Sequence, residues 1–384
     1  MSRNHRWFYE HPLSFTYYRM KILVTGTEGY LGSLLAPLLM EQGHEVTGVD
    51  TGFYQSGLLY HASGDRPKTL IRDIRLMDED DLRGHDAVVH MAELSNDPAG
   101  ALNPSMTYAI NHEGSVRLAR LARQAGVRRF IYMSSCSVYG VADNPVAVTE
   151  QSPVNPQTAY AECKVRCEQD IGGLANPQFS PVFLRNATAF GASPRQRFDV
   201  VVNNLCGRAW TTKTIEMTSD GSPWRPLVHG LDIAQAIHLC LEAPREAIHR
   251  ETFNVGSNCQ NYRIREVAEI IKSVFPDCRV SFGSNGSDNR SYRVNFDKIT
   301  RHLPQFSCQW DVERGAKQFR TLFEQIELTP GMFGDRAYTR LAQLEYLLRT
   351  AQIDRQFYWA ADPAIPRSKT EAQLAANAVE SLAS

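Results

Sequence analysis

The run Lys21 to Gly32, KILVTGTEGYLG, constrains the fold more than any other stretch of the chain. It joins a short apolar, β-like segment to three glycines, Gly26, Gly29 and Gly32, at the mouth of an apolar helical pattern. Such a junction suits a dinucleotide. Gly26 lets the strand turn sharply, Gly29 lets backbone N–H groups approach a pyrophosphate with no Cβ in the way, and Gly32 lets the helix pack closely on the sheet. Tyr30 and Leu31 share the same cradle. The positive end of the helix dipole then faces the phosphates.

Two acids follow at informative distances. Asp50 closes a second apolar run, HEVTGVD, roughly twenty residues after the glycines, where a carboxylate accepts hydrogen bonds from the adenosine ribose hydroxyls. A 2′-phosphate would meet that carboxylate head on, and no arginine stands immediately after it, so the pattern selects NAD over NADP. Asp73 and Ile74, after Thr69-Leu70-Ile71, put an acid and an apolar side chain at another strand end, suited to the adenine amino group and ring face. By themselves these two would fit any strand terminus.

β-like runs alternate with helical patterns along the first half. Strands are expected at 21–25, 45–50, 69–73, 87–92, 129–134, 181–186 and 252–255, and Gly114 to Gly126 reads as an amphipathic helix with Val116, Leu118, Leu121 and Ala122 on one stripe. This is the rhythm of an α/β Rossmann fold, a doubly wound parallel sheet. After about residue 185 irregular Pro/Gly/Asn-rich stretches separate short helices, which implies a smaller C-terminal substrate-binding domain. The expected organisation is an extension over 1–19, aromatic-rich and able to dock on the body or a partner; an NAD-binding domain over 20–185; a mainly substrate-binding domain over 186–330, with the strand near 252–255 returning to the sheet; a helical segment over 331–366; and a disordered tail over 367–384. In the helical segment Leu341, Leu344, Leu347 and Leu348 form one face that would cover the body or a neighbour.

Composition narrows the partners. With 384 residues, 43% hydrophobic content and a formal net charge of −1, the chain can bury one large or two unequal cores and offers no electrostatic footprint for nucleic acid. No run approaches the ~20 apolar residues of a membrane span. The eight cysteines are scattered without metal-ligand spacing, which points to reduced thiols in the cytoplasm and to no metal site.

The reactive groups cluster between Tyr132 and Lys164. Tyr160 and Lys164, in TAYAECK, are four residues apart in an expected helix, so both project from one face. A phenol is a poor base at neutral pH, but an adjacent ammonium and a positive nicotinamide ring favour its phenolate, and lowering its pKa by about three units takes roughly 4 kcal/mol. Upstream, the strand FIYM delivers Ser134-Ser135-Cys136-Ser137 to a loop where a hydroxyl can hold a substrate oxygen.

In that order GTEGYLG, Asp50, Asp73-Ile74, HMAELS, SSCSVYG and YAECK resemble the extended short-chain dehydrogenase/reductase family acting on nucleotide sugars, over about residues 20 to 328. The resemblance implies Ser135 as the catalytic Ser/Thr, Tyr160 as the acid/base, and Lys164 as the lysine that tunes the tyrosine and binds the nicotinamide ribose. It sets Asn111 near a structural asparagine on the cofactor side, with a helix cap as an equal account, and Ala92 and Ser95 on the loop that touches cofactor and then substrate. It also implies a substrate diphosphate clamped by Arg225 and Arg290, the latter in NRSYRVNFDKI. LRNATAFG departs from the family's LRxxNxYG, with Thr188 where an asparagine is common and Asn186 two residues earlier.

The acidic pair that resembling 4,6-dehydratases carry after the catalytic Ser/Thr is here Cys136 and Ser137, which disfavours dehydration. Cys136 remains a candidate substrate contact and proton carrier, and Glu93 is an unusual carboxylate for its loop, more readily read as a salt bridge. The expectation is an NAD-dependent nucleotide-sugar 4-epimerase, working through a transient keto-sugar. The alternatives are a keto-reductase or dehydrogenase with exchangeable NAD(P)H, then a 4,6-dehydratase or a binding protein without catalysis. The resemblance also implies a homodimer through two helices per subunit, one bearing Tyr160.

Overall fold

The computed structural model describes residues 19–62, 64–141, 146–217, 219–284 and 291–361. The expected N-terminal extension, up to residue 18, and the tail lie outside them. Among the described residues twelve strands run in chain order: β1 Lys21–Thr25, β2 Glu45–Asp50, β3 Lys68–Ile71, β4 Ala87–His90, β5 Arg129–Ser135, β6 Ser180–Asn186, β7 Thr188–Phe190, β8 Thr214–Met217, β9 Trp224–His229, β10 Thr252–Val255, β11 Asn261–Arg263 and β12 Arg279–Phe282. Seven form one sheet in the order β10-β6-β5-β4-β1-β2-β3, and every neighbouring pair is parallel. The order reverses between β1 and β4. Both faces of this sheet are covered, so β4 and β6 are buried along their whole length.

Alternation along the strands divides two cores. Ile22, Val24, Ile131 and Met133 face the helices Gly32–Glu41 and Gly230–Glu242, whereas Leu23, Phe130 and Tyr132 face Ser115–Gln124 and Ala159–Gly172. A third core holds the helices Val201–Thr211, Ile264–Val274 and Val312–Gln325 together. Beside it lie the small sheets β11-β9-β7 and β12-β8.

Three details differ from the sequence expectation. The third strand ends at Ile71, because the Asp73 carboxylate caps a 3₁₀ turn over Ile74–Leu76 by accepting the Arg75 N–H. The fourth ends at His90, where the Thr25 hydroxyl draws the Met91 and Ala92 N–H groups away (3.1 Å each). The helix expected from Gly114 runs on from a π-helical turn, Tyr108–Gly114, so Asn111 sits inside a continuous helical run and caps nothing.

The segment after 330 returns to the nucleotide half. Its helix Arg340–Arg349 buries Leu344 and Leu347, with Ile353 and Phe357 beyond, against Phe53, Leu94, Ala99 and Ile110. Leu341 faces the large cleft described next, and Leu348 packs at the margin of the same cluster.

Candidate active site

A cleft of ≈ 780 Å³ opens at the carboxyl ends of the strands, across the β1/β4 reversal. A doubly wound sheet offers its ligand crevice at that place. The glycine loop forms one wall. Gly26 has φ +80°, in the region that favours glycine. A Cβ on Gly32 would fall 2.0 Å from the Gly26 carbonyl oxygen, so only glycine lets this helix start so close to the strand. Asp50, also on the cleft, accepts the N–H groups of Gly52 (2.8 Å) and Glu28 (2.9 Å). These bonds aim its carboxylate, whose remaining lone pairs suit ribose hydroxyls. The residues present therefore fit NAD.

Most of the expected cofactor residues line this cleft: Gly26, Gly29, Tyr30, Leu31, Gly32, Asp50, Asp73, Ile74, Ala92, Tyr160 and Lys164. Two of them are also engaged elsewhere. Tyr30 donates its hydroxyl to the Gly191 carbonyl (2.7 Å), tying the glycine loop to the second lobe. Asp73 holds Arg75 through two bonds, 3.0 and 2.7 Å. Asn111 is a correction. Fully buried within the π-helical turn, it does not line the cleft, and its amide grips Leu94 instead, accepting from the N–H (2.8 Å) and donating to the carbonyl (3.0 Å). It shapes the loop after β4 from behind.

Ser135, Tyr160 and Lys164 converge in the cleft. Ser135 ends β5 and accepts the Ser137 N–H (3.1 Å), and its hydroxyl favours the ionised Tyr160 phenol. The Ala159–Gly172 helix is capped by Thr158, whose hydroxyl accepts the Ala161 N–H, and it presents Tyr160 and Lys164 one turn apart. Lys164 Nζ lies 5.3 Å from the Tyr160 ring centre and 4.8 Å from that of Tyr132. It donates to the Met133 carbonyl and pairs with Glu93, both side chains being 95% or more buried. Glu93 also accepts the Tyr132 hydroxyl (2.6 Å).

This ion pair changes the expected electrostatics. Burial alone would depress Lys164, but the Glu93 carboxylate and then Tyr160 outweigh it and hold the ammonium above its usual range. Burial pushes the Tyr160 phenol up; Lys164 and the Ser135 hydrogen bond pull it down, and the carboxylates of Glu93 and Asp97 push it further up. The net direction is upward, the reverse of the sequence argument. Burial is the main reason, since it strips a phenolate of its hydration, and the Glu93 carboxylate adds to it by offsetting part of the pull of Lys164.

At the other end, Ser95, Asn186, Thr188 and Arg225 all line the cleft. Asn186 donates to the Ser134 and Leu184 carbonyls (3.1 and 3.0 Å), while its own Oδ1 and the Ser137 hydroxyl are buried with no hydrogen-bond partner among the described residues. Cys136 is a second correction. The 3₁₀ turn after Ser135 points its thiol into the core, where it donates to the Arg185 carbonyl (3.2 Å), and burial pushes its pKa far up. It does not line the cleft. Arg290 lies outside the described residues.

The cleft also holds residues that the sequence did not mark. Asp97 accepts the Thr158 hydroxyl (2.5 Å). Arg197 binds Asp199 (2.8 Å) and donates to the Ser95 hydroxyl (3.4 Å). Arg340 comes from the returning C-terminal segment. No motif surrounds these three. Asp97 had one weak signal, the Asn-Asp-Pro start of a short helix capped by Asn96 (2.9 Å).

Fold and site together define a dinucleotide-binding α/β enzyme with a Ser-Tyr-Lys cluster beside the nucleotide cleft. A model of the NAD dependent epimerase/dehydratase family matches residues 22–256, and the chain belongs to that family. It is 29% identical over 272 residues to UDP-glucose 4-epimerase of Corynebacterium glutamicum, covering 66% of this chain and 80% of that protein. The corresponding Bacillus subtilis enzyme is 26% identical over 292 residues, covering 66% and 82%. Among solved structures, an NAD-dependent NDP-hexosamine 5,6-dehydratase of tunicamycin biosynthesis superposes with TM-score 0.71 at 24% identity, over 80% of this chain and 98% of that one. A UDP-glucose 4-epimerase from Thermotoga maritima, with UDP-glucose, superposes with TM-score 0.69 at 21% identity, over 80% and 100%.

Proposed function

We propose that the protein is an NAD-dependent nucleotide-sugar epimerase that inverts C4 through a transient keto-sugar. The observation that carries this reading is the convergence of Ser135, Tyr160 and Lys164 in a cleft with no acid pair after Ser135, Cys136 being turned into the core. Bound NAD supplies a reversible acceptor for the hydride on the sugar carbon. Tyr160 takes the proton of the sugar hydroxyl on its phenolic oxygen and returns it after the ring has turned over. Ser135 hydrogen-bonds the same oxygen while it is a carbonyl. Lys164 holds positive charge beside the phenolate and orients the nicotinamide ribose. Asn186 Oδ1 and the Ser137 hydroxyl, both without partners among the described residues, would bind hydroxyls of a polyhydroxylated ring. Arg225 would meet the substrate diphosphate.

The test is turnover of UDP-hexoses in D₂O, followed by NMR. A C4 epimer with no deuterium on ring carbons, lost in Tyr160→Phe, supports the reading. Deuterium at C5 together with loss of water would point instead to a dehydratase, with Glu93 and Asp97, the cleft carboxylates that act on Tyr160, as its acid and base. Two further attributes belong to the proposal. All eight thiols are unpaired, which supports a reducing cytoplasm, and none of the described helices is long and apolar enough to cross a membrane. The homodimer implied by the resemblance would join the helices Ser115–Gln124 and Ala159–Gly172 of two subunits; a monomer in light scattering would overturn it.

A further inference from the structure

Arg340 presents an unresolved expense in the fold. It is 2% exposed, it lines the cleft, and its Nη2 has no hydrogen-bond partner among the described residues. Its guanidinium carbon sits 4.1 Å from the Tyr54 ring centre. The nearby Asp199 carboxylate accepts the Arg340 backbone N–H (3.1 Å) and is shared with Arg197. Two buried guanidinium groups thus face one cleft around a single adjoining carboxylate, with Asp50 the other acid in their field. A buried cation without its complement of acceptors is costly, and a dianion placed between two such groups removes that cost.

The segment that carries Arg340 is fastened to the adenosine side. Gln343 donates to the Phe53 carbonyl (3.0 Å) and Trp359 to that of Thr51 (2.6 Å), just past the end of β2. Arg75, which holds Asp73, donates to the Gln356 carbonyl (2.9 Å) and lies 3.8 Å over the Tyr358 ring. A side chamber of ≈ 320 Å³ between Thr51, Phe53, Asp73 and Tyr358 adjoins the main cleft. The segment itself, though not the residues it is fastened to, lies past the family match, which ends at residue 256.

We propose that residues 330–361 form a strap over the adenosine end of the cleft and that Arg340, with Arg197, clamps the diphosphate of the bound dinucleotide. The inference rests on the NAD reading given above. Its ligand is the cofactor diphosphate rather than the substrate's, because the strap is anchored at Thr51, Phe53 and Arg75, beside Asp50 and Asp73, whereas Arg225 and Thr188 line the opposite lobe. The planar fork of Arg340 can hold two phosphate oxygens at once. An epimerase that returns its hydride within each cycle gains from a cofactor that stays.

The test compares the full-length wild-type protein with Arg340→Met and Arg340→Lys. Dinucleotide released on denaturation is counted per chain, and the affinities for added NAD and for UDP are measured by calorimetry. Arg340→Met is expected to weaken NAD binding by roughly thirtyfold or more, Arg340→Lys by less, and UDP binding is expected to be unchanged in both. A folded Arg340→Met that retains NAD as the wild type does, or loses UDP instead, overturns the proposal. Should Arg340→Met not fold, hydrogen exchange on the wild type decides: NAD should slow exchange over 339–359 and UDP should not, and any other pattern overturns the strap. A wild-type protein that binds no NAD at all would instead refute the reading beneath it.

Discussion

Replacing Glu93 by glutamine should shift the pH–rate profile toward acid by about one unit. Lys164 Nζ stands 5.3 Å from the Tyr160 ring centre. At that separation a unit charge acting through an effective dielectric of ~20 changes the cost of a phenolate by about 3 kcal/mol, or roughly two pKa units. Glu93 pairs with that ammonium inside the protein and cancels a large part of this help. Glutamine keeps one oxygen for either the Tyr132 hydroxyl or Lys164, which the carboxylate serves with separate oxygens, and removes the opposing charge. Tyr160 should then ionise more easily, and Lys164, raised chiefly by Glu93, should lose its proton earlier. Both limbs of kcat/KM against pH move down together. The assay is initial epimerisation rates from pH 5.5 to 10 for wild type and Glu93→Gln, with thermal melts to confirm folding. An acid limb that stays in place, or moves up, would refute the view that Glu93 shields the tyrosine from its lysine.

Two further outcomes follow from the core. Cys136→Ala should leave kcat/KM within a few-fold and cost roughly 1 kcal/mol of stability, because the thiol meets a backbone carbonyl and no cleft surface; a hundredfold loss of turnover would return Cys136 to the chemistry. Acid should destabilise the protein through its buried neutral histidines. Burial lowers His90 to about 3 and His229 and His238 to about 4, with the charges of Lys164, Arg314 and His44 adding to it in turn, while burial raises Asp232 to about 7. For the histidines the unfolded chain binds protons that the native one does not, so their contribution is full above about pH 6.5 and is lost as pH falls toward their folded values; Asp232 opposes them with one proton. Near pH 5.5 the four groups together give a slope of about 2 kcal/mol per pH unit. Urea midpoints at pH 7 and 5.5 check the sign, and His238→Gln should flatten the fall.

Much of this site could be read from adjacent residues. The glycine loop, Asp50 and the Tyr160–Lys164 pair are local patterns whose geometry follows from one strand, one turn and one helix. Misreadings came where the backbone departs from those shapes. A π-helical turn rotates Asn111 away from the cleft, and a 3₁₀ turn sends Cys136 into the core although Ser135 and Ser137, on either side of it, face the cleft. Arg197, Asp199 and Arg340 were invisible for another reason. Arg197 and Asp199 pair locally, but their meeting with Arg340 depends on a segment that crosses back from beyond residue 330, and the leucine stripe of its helix announces burial without saying against what. Glu93 stood out as an odd residue, but its partner could be named only once β4, β5 and the Tyr160 helix were side by side.

The strap also has a place in time. Residues 330–361 leave the ribosome after every strand of the nucleotide sheet and every other wall of the cleft has been made. For that interval the nascent cleft stands open on its adenosine side, because Phe53, Leu94 and Ile110 await the leucines that later cover them. On the strap proposal, order of synthesis thus provides a loading window for the cofactor, which closes when the helix Arg340–Arg349 packs over Phe53, Leu94 and Ile110.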